Sequence, residues 1–203
     1  YALWPTWEAT SLPETLAELA RTEGDYAAQV LSAWADPEQA DRAALQRSRL
    51  RARLARSNAE AAVSRWLAEP PGRSVGPEMG RDAVLGYMAA VRSCVQAILA
   101  LHAERRGRWP GHPEARLLVA QVKAGLDSVA ASVKGSPVAA HLPTLRTEQL
   151  ALAAGVGLGS LNGNGDRMTA GGTGLVLAGA PVLLVNSVNT LCHLVGLEAD
   201  RWA

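Results

Sequence analysis

The chain has 203 residues, with 20 Lys and Arg against 19 Asp and Glu, and 48% of its residues are hydrophobic. This length indicates one domain or a domain with an appendage, and the hydrophobic content excludes a disordered chain. A net charge of +1 argues against a strongly basic nucleic-acid-binding protein.

The first helix is predicted over residues 12–35, with Ser11 as its N-cap and Pro13 in its first turn. Its apolar residues recur at three- and four-residue steps and are predicted to face the core: Leu12, Leu16, Leu19, Ala27, Val30 and Trp34. Residues 1–10 are a lead-in that opens with Tyr1 rather than Met and has no signal-peptide pattern. We therefore expect a fragment or a processed form.

A second helix is predicted from Asp36-Pro37-Glu38 to the prolines at 70 and 71. Its predicted core stripe is thin: Ala43, Leu50, Leu54, Ser57, Ala61 and Ala68. Small residues at these positions would let a neighbouring helix approach closely, and so long a helix favours an elongated bundle.

Two further long helices follow. The third is predicted from about Pro77 to Arg106, with these residues on its core face: Val84, Met88, Val91, Val95, Ile98 and Leu99. The fourth is predicted over residues 113–134, ending at Gly135, with these inward residues: Ala115, Leu118, Val122, Leu126, Val129 and Val133. Four long helices with short connections predict an antiparallel bundle over residues 11–154.

The last third of the chain differs in composition. A short helix is predicted over residues 145–154, a glycine-rich loop over 155–180, and a C-terminal amphipathic helix within 181–203 that begins at Pro181. Residues 168–197 lack charge, but the last helix has one apolar and one polar side, which is typical of packing on a core rather than of a membrane span. The predicted fold is therefore all-α: an elongated antiparallel bundle of four long helices plus one or two shorter C-terminal helices.

Helix two holds seven arginines between residues 42 and 65. Four of them fall within a sector of about 60° on the helical wheel and form what we call the arginine stripe: Arg42, Arg49, Arg53 and Arg56. The stripe could bind an anionic surface such as lipid headgroups, or a carboxylate ligand. A solvated face, partly paired through Arg56 and Glu60, is the simpler interpretation. Nucleic acid is not expected, because no aromatic side chains are interleaved with the arginines.

The last helix carries a polar seam of Asn186, Asn189 and His193, which could line a ligand pocket or could be the ordinary polar side of an amphipathic helix. The four histidines and two cysteines lack the spacing of a zinc site. The glycine-rich tract lacks a phosphate-loop pattern, and no nucleophile elbow occurs. We therefore expect no catalytic residue, no metal and no cofactor.

Three segments carry a family resemblance: residues 1–8 (YALWPTWE), residues 53–61 (RLARSNAEA) and residues 186–191 (NSVNTL). In this order they resemble the soluble helical region of bacterial fusaric-acid-resistance-like proteins, the aromatic acid exporter superfamily. The resemblance implies a cytoplasmic helical domain that follows a membrane-spanning bundle, at the cytoplasmic face of the inner membrane. No functional residues carry over from the family.

The resulting hypothesis is the cytoplasmic domain of an inner-membrane efflux protein, with an assembly or gating role and no enzymatic activity. Its expected partners are the membrane-spanning part of the same polypeptide, further copies in a homo-oligomer, and anionic lipid. The alternative is a stand-alone helical-bundle module that binds a small anionic ligand or a partner helix. A metal- or nucleotide-dependent enzyme is a third hypothesis, with little support from the motifs.

Overall fold

The computed structural model of this chain describes residues 7–68, 79–104, 115–135 and 173–196. These residues are almost entirely helical, which confirms the predicted all-α class over the described part of the chain. The helices are α1 (Trp7–Ala35), α2 (Arg42–Leu67), α3 (Arg81–Glu104), α4 (Ala115–Val133) and α5 (Thr173–Leu194). The predicted short helix over residues 145–154 lies outside the described residues, as does the glycine-rich tract up to residue 172.

The apolar stripes predicted for α1 and α4 are confirmed as core. All six predicted residues of α1 are buried, as are five of α4: Leu118, Leu126 and the valines at 122, 129 and 133. Helix α1 nevertheless begins at Trp7, so Pro13 lies inside the helix rather than in its first turn. Gly135 has a φ of 72° and lies two residues after the end of α4, as its predicted role as a helix stop requires.

The predicted core stripe of α2 is wrong, because these six residues face away from the core. Leu50 and Leu54 are each 63% exposed. The opposite face is buried and consists mostly of small residues: Leu45, Ser48, Ala52, Ala55, Ala59, Ala62, Val63 and Trp66. A row of alanines allows α2 to approach α1 closely, so the larger leucines, which periodicity alone places in the core, face outward.

Helix α2 also begins later than predicted. Residues 36–38 precede the helix, and the N-cap is Asp41, whose carboxylate accepts hydrogen bonds from the backbone N–H groups of Ala43 and Ala44 at 2.8 and 3.0 Å. These bonds stabilise the ionised carboxylate and lower the pKa of Asp41. A short polar side chain before the first helical turn satisfies amides that have no partner within the helix.

Two smaller differences concern α3 and α5. On α3 the predicted core residues are buried or half-buried except Leu99, which is 39% exposed. Helix α5 begins at Thr173, so the predicted loop at 173–180 is helical and Pro181 lies inside the helix. Proline is common in the first turn, which made Pro181 a misleading signal for the helix start.

The helix directions follow from side-chain contacts. Helices α1 and α3 run parallel, since Tyr87 Oη donates to the Leu16 carbonyl at 2.8 Å and Tyr26 Oη lies 3.1 Å from His102 Nδ1. Helices α1 and α4 run antiparallel. Asp25 in α1 pairs with Lys123, and Asp36, which directly follows α1, pairs with Arg116 near the start of α4.

Helices α4 and α5 run parallel. Ser132 Oγ donates to the Val195 carbonyl at 2.8 Å, and Gly125 lies against Val188. Helix α5 also packs on α3, which packs on α1, while α2 packs chiefly on α1. The contacts among α1, α3, α5 and α4 therefore close a ring, and α2 lies outside it.

Helix α4 approaches α5 so closely that position 125 requires glycine. A Cβ atom there would lie 2.9 Å from Val188 Cγ1, and the branched Val188 side chain has little freedom to move. We expect Gly125→Ala to destabilise the protein, because overpacking costs about 1–3 kcal/mol against a gain of about 1 kcal/mol in helix propensity. Urea denaturation followed by circular dichroism measures the difference.

Gly86→Ala is the matched control for Gly125→Ala. A Cβ at position 86 would make an ordinary 3.4 Å contact with the flexible end of Leu194, so this change should stabilise α3 by about 0.5–1 kcal/mol. In a Val188→Ala background, Gly125→Ala should become stabilising as well. A destabilising effect that persists in this background would contradict the proposed clash.

Candidate functional site

The arginine stripe is divided in the structure. Arg42, Arg49 and Arg53 are exposed on the solvent side of α2. Arg56, at the edge of the buried face, is 25% exposed at its side chain and turns toward α1, where its Nε donates to Glu23 Oε1 at 2.8 Å. The prediction that Arg56 pairs with Glu60 is therefore wrong: its partner comes from another helix, 33 residues away.

Most of the exposed arginines of α2 have no close ion pair among the residues that the structure describes. Arg47 lies 3.9 Å from Asp41, at the outer limit of an ion pair. Arg42, Arg49, Arg51 and Arg53 have no ion pair with any residue that the structure describes. The solvent face of α2 is thus strongly positive although the whole chain is nearly neutral.

The ion pair between Glu23 and Arg56 is unequally buried. The Glu23 side chain is 1% exposed, and its second oxygen, Oε2, is buried without a hydrogen-bond partner among the described residues. Burial raises the pKa of the Glu23 carboxyl, and the Arg56 guanidinium opposes that rise. Arg56 is therefore the counter-charge that opposes protonation of Glu23, and the Arg56 side chain can still reach water.

Two tyrosines and a thiol lie in the same interior as Glu23. Tyr26 is buried near His102, with their ring centroids 5.9 Å apart, and burial raises the Tyr26 pKa. Burial also raises the pKa of Tyr87 and Cys94, and the negative charge of Glu23 adds to both rises. These groups are held in their neutral forms, which suits a structural polar cluster better than nucleophilic chemistry.

The polar seam lies on α5, which packs on α3 and α4, whereas α2 packs chiefly on α1. Asn186 and His193 are exposed, as predicted for a polar side. Asn189 is half-buried, and its Oδ1 is buried without a partner in the described part of the chain. The structure therefore does not bring the polar seam and the arginine stripe together.

A cleft of about 410 Å³, which no sequence pattern predicts, lies where α1, the α1–α2 connection and the start of α4 meet. Asp36, Asp41 and Arg116 line it among small and amide side chains, and Arg116 Nη2 donates to Asp36 Oδ2 at 3.2 Å. No motif could have indicated this cleft, because the paired residues are 80 positions apart. The Asp36 carboxylate and the Arg116 guanidinium of this cleft already pair with each other.

The histidine, cysteine and acidic side chains of the described residues were the candidates for a metal site or a reactive thiol in this fold. In the described ranges, no group of three or more His, Cys, Asp or Glu side chains is placed to hold a metal ion. Cys94 and Cys192 are both buried free thiols, and burial raises the pKa of Cys192 to about 12. Both thiols are therefore protonated and shielded at neutral pH.

One described helix, Arg81–Ala103 within α3, is long and apolar enough to cross a membrane by length and composition, and half of its apolar 18-residue stretch is buried in the protein. The buried core helix of a soluble protein can have the same length and composition. The apolar part of α5, Ala180–Leu194, is shorter.

Comparisons with known proteins add no family to this description: no family model, curated protein or solved structure matches the chain.

Proposed function

We propose that this chain is the cytoplasmic helical domain of a bacterial inner-membrane efflux protein resembling aromatic and fusaric acid exporters. Its role would be assembly or gating rather than catalysis. The observation that carries the proposal is the uncompensated positive face of α2, with four exposed arginines that have no ion-pair partner among the described residues. Arginine is enriched on the cytoplasmic side of inner-membrane proteins, and an unpaired row of it favours an anionic partner.

The architecture that we propose for this role is one elongated bundle. The described contacts support a ring of α1, α3, α5 and α4, in which α1 and α4 run antiparallel. Helix α2 lies outside the ring, so its solvent face can meet a partner without disturbing the core. The proposed partners are the membrane-spanning part of the same polypeptide and further copies in a homo-oligomer. Anionic lipid headgroups are a further proposed contact of the arginines.

Membrane fractionation and export tests address this proposal. The full-length protein should remain in the membrane after a carbonate wash. Deleting residues 11–154 should leave membrane insertion intact while abolishing resistance to a panel of aromatic carboxylic acids. A reading frame with no apolar stretch of about 20 residues before Tyr1 would contradict the proposal. So would unchanged resistance after the deletion.

A stand-alone helical-bundle module is the second candidate. The two exposed leucines on the solvent face of α2 favour it, because they lie among the arginines in the manner of a binding surface rather than a merely solvated face. In this case α2 would bind a small anionic ligand or a partner helix. The fractionation experiment separates the two candidates, since a stand-alone module stays in the soluble fraction.

A further inference from the structure

The solvent side of α2 carries a regular apolar row, which we call the outer face of α2: Ala43, Leu50, Leu54, Ser57, Ala61 and Ala68. Successive members are seven, four, three, four and seven residues apart, which is the 3.5-residue repeat of a helix that packs against another helix. All six are exposed. The row that periodicity assigned to the core is therefore a packing surface without a partner in the described part of the chain.

The centre of this outer face is apolar and its ends are small. Leu50 and Leu54 lie one turn apart, each 63% exposed, with alanine or serine along the row on both sides of them. Small residues allow the backbone of a second helix to approach closely, while the leucines provide a central anchor. Binding to a bilayer does not require close approach to the backbone. It depends on buried apolar area, and two leucines provide little of it.

Positive charge flanks the leucines on both sides. On the helical wheel Arg49 and Arg53 lie on one side of the row, and Arg47 and Arg51 lie on the other. Helix α2 has seven arginines and a single acidic residue, Glu60. Two of these arginines, Arg51 and Arg53, occupy the positions beside the row that select partners in helix pairs, and arginine there favours a partner with carboxylates.

We propose that the outer face of α2 is a docking site for an acidic amphipathic helix, with a Leu- or Ala-rich row flanked by Asp or Glu. A second copy of α2 would bring like charges together along both flanks. The chain's own segments outside the described residues are not acidic enough, since none of them has more than two Asp or Glu. An acidic helix would be the partner in the assembly role proposed above, and the inference rests on that role.

Synthetic helical peptides test the proposal with the 203-residue chain. The first peptide repeats Leu and Ala in the packing row with Glu on both flanks, the second replaces every Glu by Lys, and the third scrambles the first. Fluorescence anisotropy should show binding of the first peptide alone, weakened by salt because the flanking pairs are exposed. Leu50→Ser/Leu54→Ser should weaken it about tenfold or more, as expected for central anchors.

Leu85→Ser/Leu99→Ser is the matched control, because it removes two partly exposed leucines from α3 rather than α2. It should leave peptide binding unchanged, and circular dichroism should show both double variants folded. Equal binding of the Glu and Lys peptides would overturn the proposal, as would binding that survives Leu50→Ser/Leu54→Ser. So would a failure of the Glu peptide to bind.

Two further measurements separate the other occupants. Vesicles of phosphatidylglycerol that bind through Leu50 and Leu54 while the Glu peptide does not would identify a membrane surface instead. A dimer seen by analytical ultracentrifugation and lost in Leu50→Ser/Leu54→Ser would identify a second copy. Either result overturns the proposal. Failed peptide binding leaves the export and fractionation results standing, and a soluble full-length protein leaves positive peptide binding standing.

Discussion

Replacing Arg56 by methionine is expected to lower the free energy of unfolding by about 3–5 kcal/mol, because it leaves the Glu23 carboxylate buried without its counter-charge. Glu23 is 1% exposed and its Oε2 already lacks a partner in the described part of the chain. Arg53→Met is the matched control on the same helix. Arg53 is exposed and has no ion pair with the residues that the structure describes, so the change should stay within about 0.5 kcal/mol.

Replacing Glu23 instead of Arg56 should lower the free energy of unfolding much less. Glu23→Gln leaves Arg56 without its carboxylate, but a side chain that is 25% exposed can turn toward water. We expect a loss of no more than about 1–2 kcal/mol. Urea denaturation of the single and double variants would give the coupling energy of the pair. Equal losses for Arg56→Met and Glu23→Gln would contradict the unequal burial of the two groups.

The pH dependence follows from the direction of the Glu23 pKa shift. Because burial raises the folded-state pKa above its ordinary value of 4.5, the folded protein binds the Glu23 proton more tightly than the unfolded chain does. The contribution of Glu23 to stability is therefore greatest below 4.5, falls as the pH rises through the folded-state pKa, and is constant above it. Arg56→Met should extend this fall to higher pH, and Glu23→Gln should abolish it.

Leu126→Ala should lower the free energy of unfolding by about 2–5 kcal/mol, because it opens a cavity where α4 packs on α1. Leu126 is fully buried and lies next to Gly24 of α1. The same substitution at Leu54 should change stability by no more than about 0.5 kcal/mol, since that leucine faces solvent. Ala59→Leu, on the buried face of α2, should cost about 1–3 kcal/mol through overpacking.

Together, these three variants test which face of α2 is buried. Urea denaturation with an unchanged m-value would assign the differences to stability alone. A loss at Leu54→Ala as large as that at Leu126→Ala would place Leu54 in the core and contradict the structure. It would also remove the outer face of α2 as a docking surface.

Sequence reasoning succeeded where large apolar residues mark the buried side. The stripe of α4, with Leu118 and Leu126 in a row with three valines, has a clear periodicity and was predicted correctly. In α2 four of the eight buried residues are alanine, while the two leucines at 50 and 54 face outward. A pattern weighted by side-chain size therefore selected the wrong face, and the short side chains that α1 needs for close packing carried little signal.

The candidate site was harder to predict than the fold. The arginines of α2 could be placed on one side of the helix from their spacing, since that depends on the helix alone. The partner of Arg56 could not, because Glu23 belongs to another helix and meets it only after α1 and α2 pack. The cleft lined by Asp36 and Arg116 likewise exists only in the folded chain. Contacts between distant segments leave no periodic trace in one sequence.

The central position of α1 has a consequence for synthesis on the ribosome. This helix packs against α2, α3 and α4, so its apolar side is covered only when α4 has been made, roughly 100 residues later. At ordinary elongation rates the nascent chain presents the α1 leucines for about 5–20 s without their main partner. Synthesis that stalls before residue 133 should therefore leave apolar surface of α1 exposed, and such surface favours aggregation.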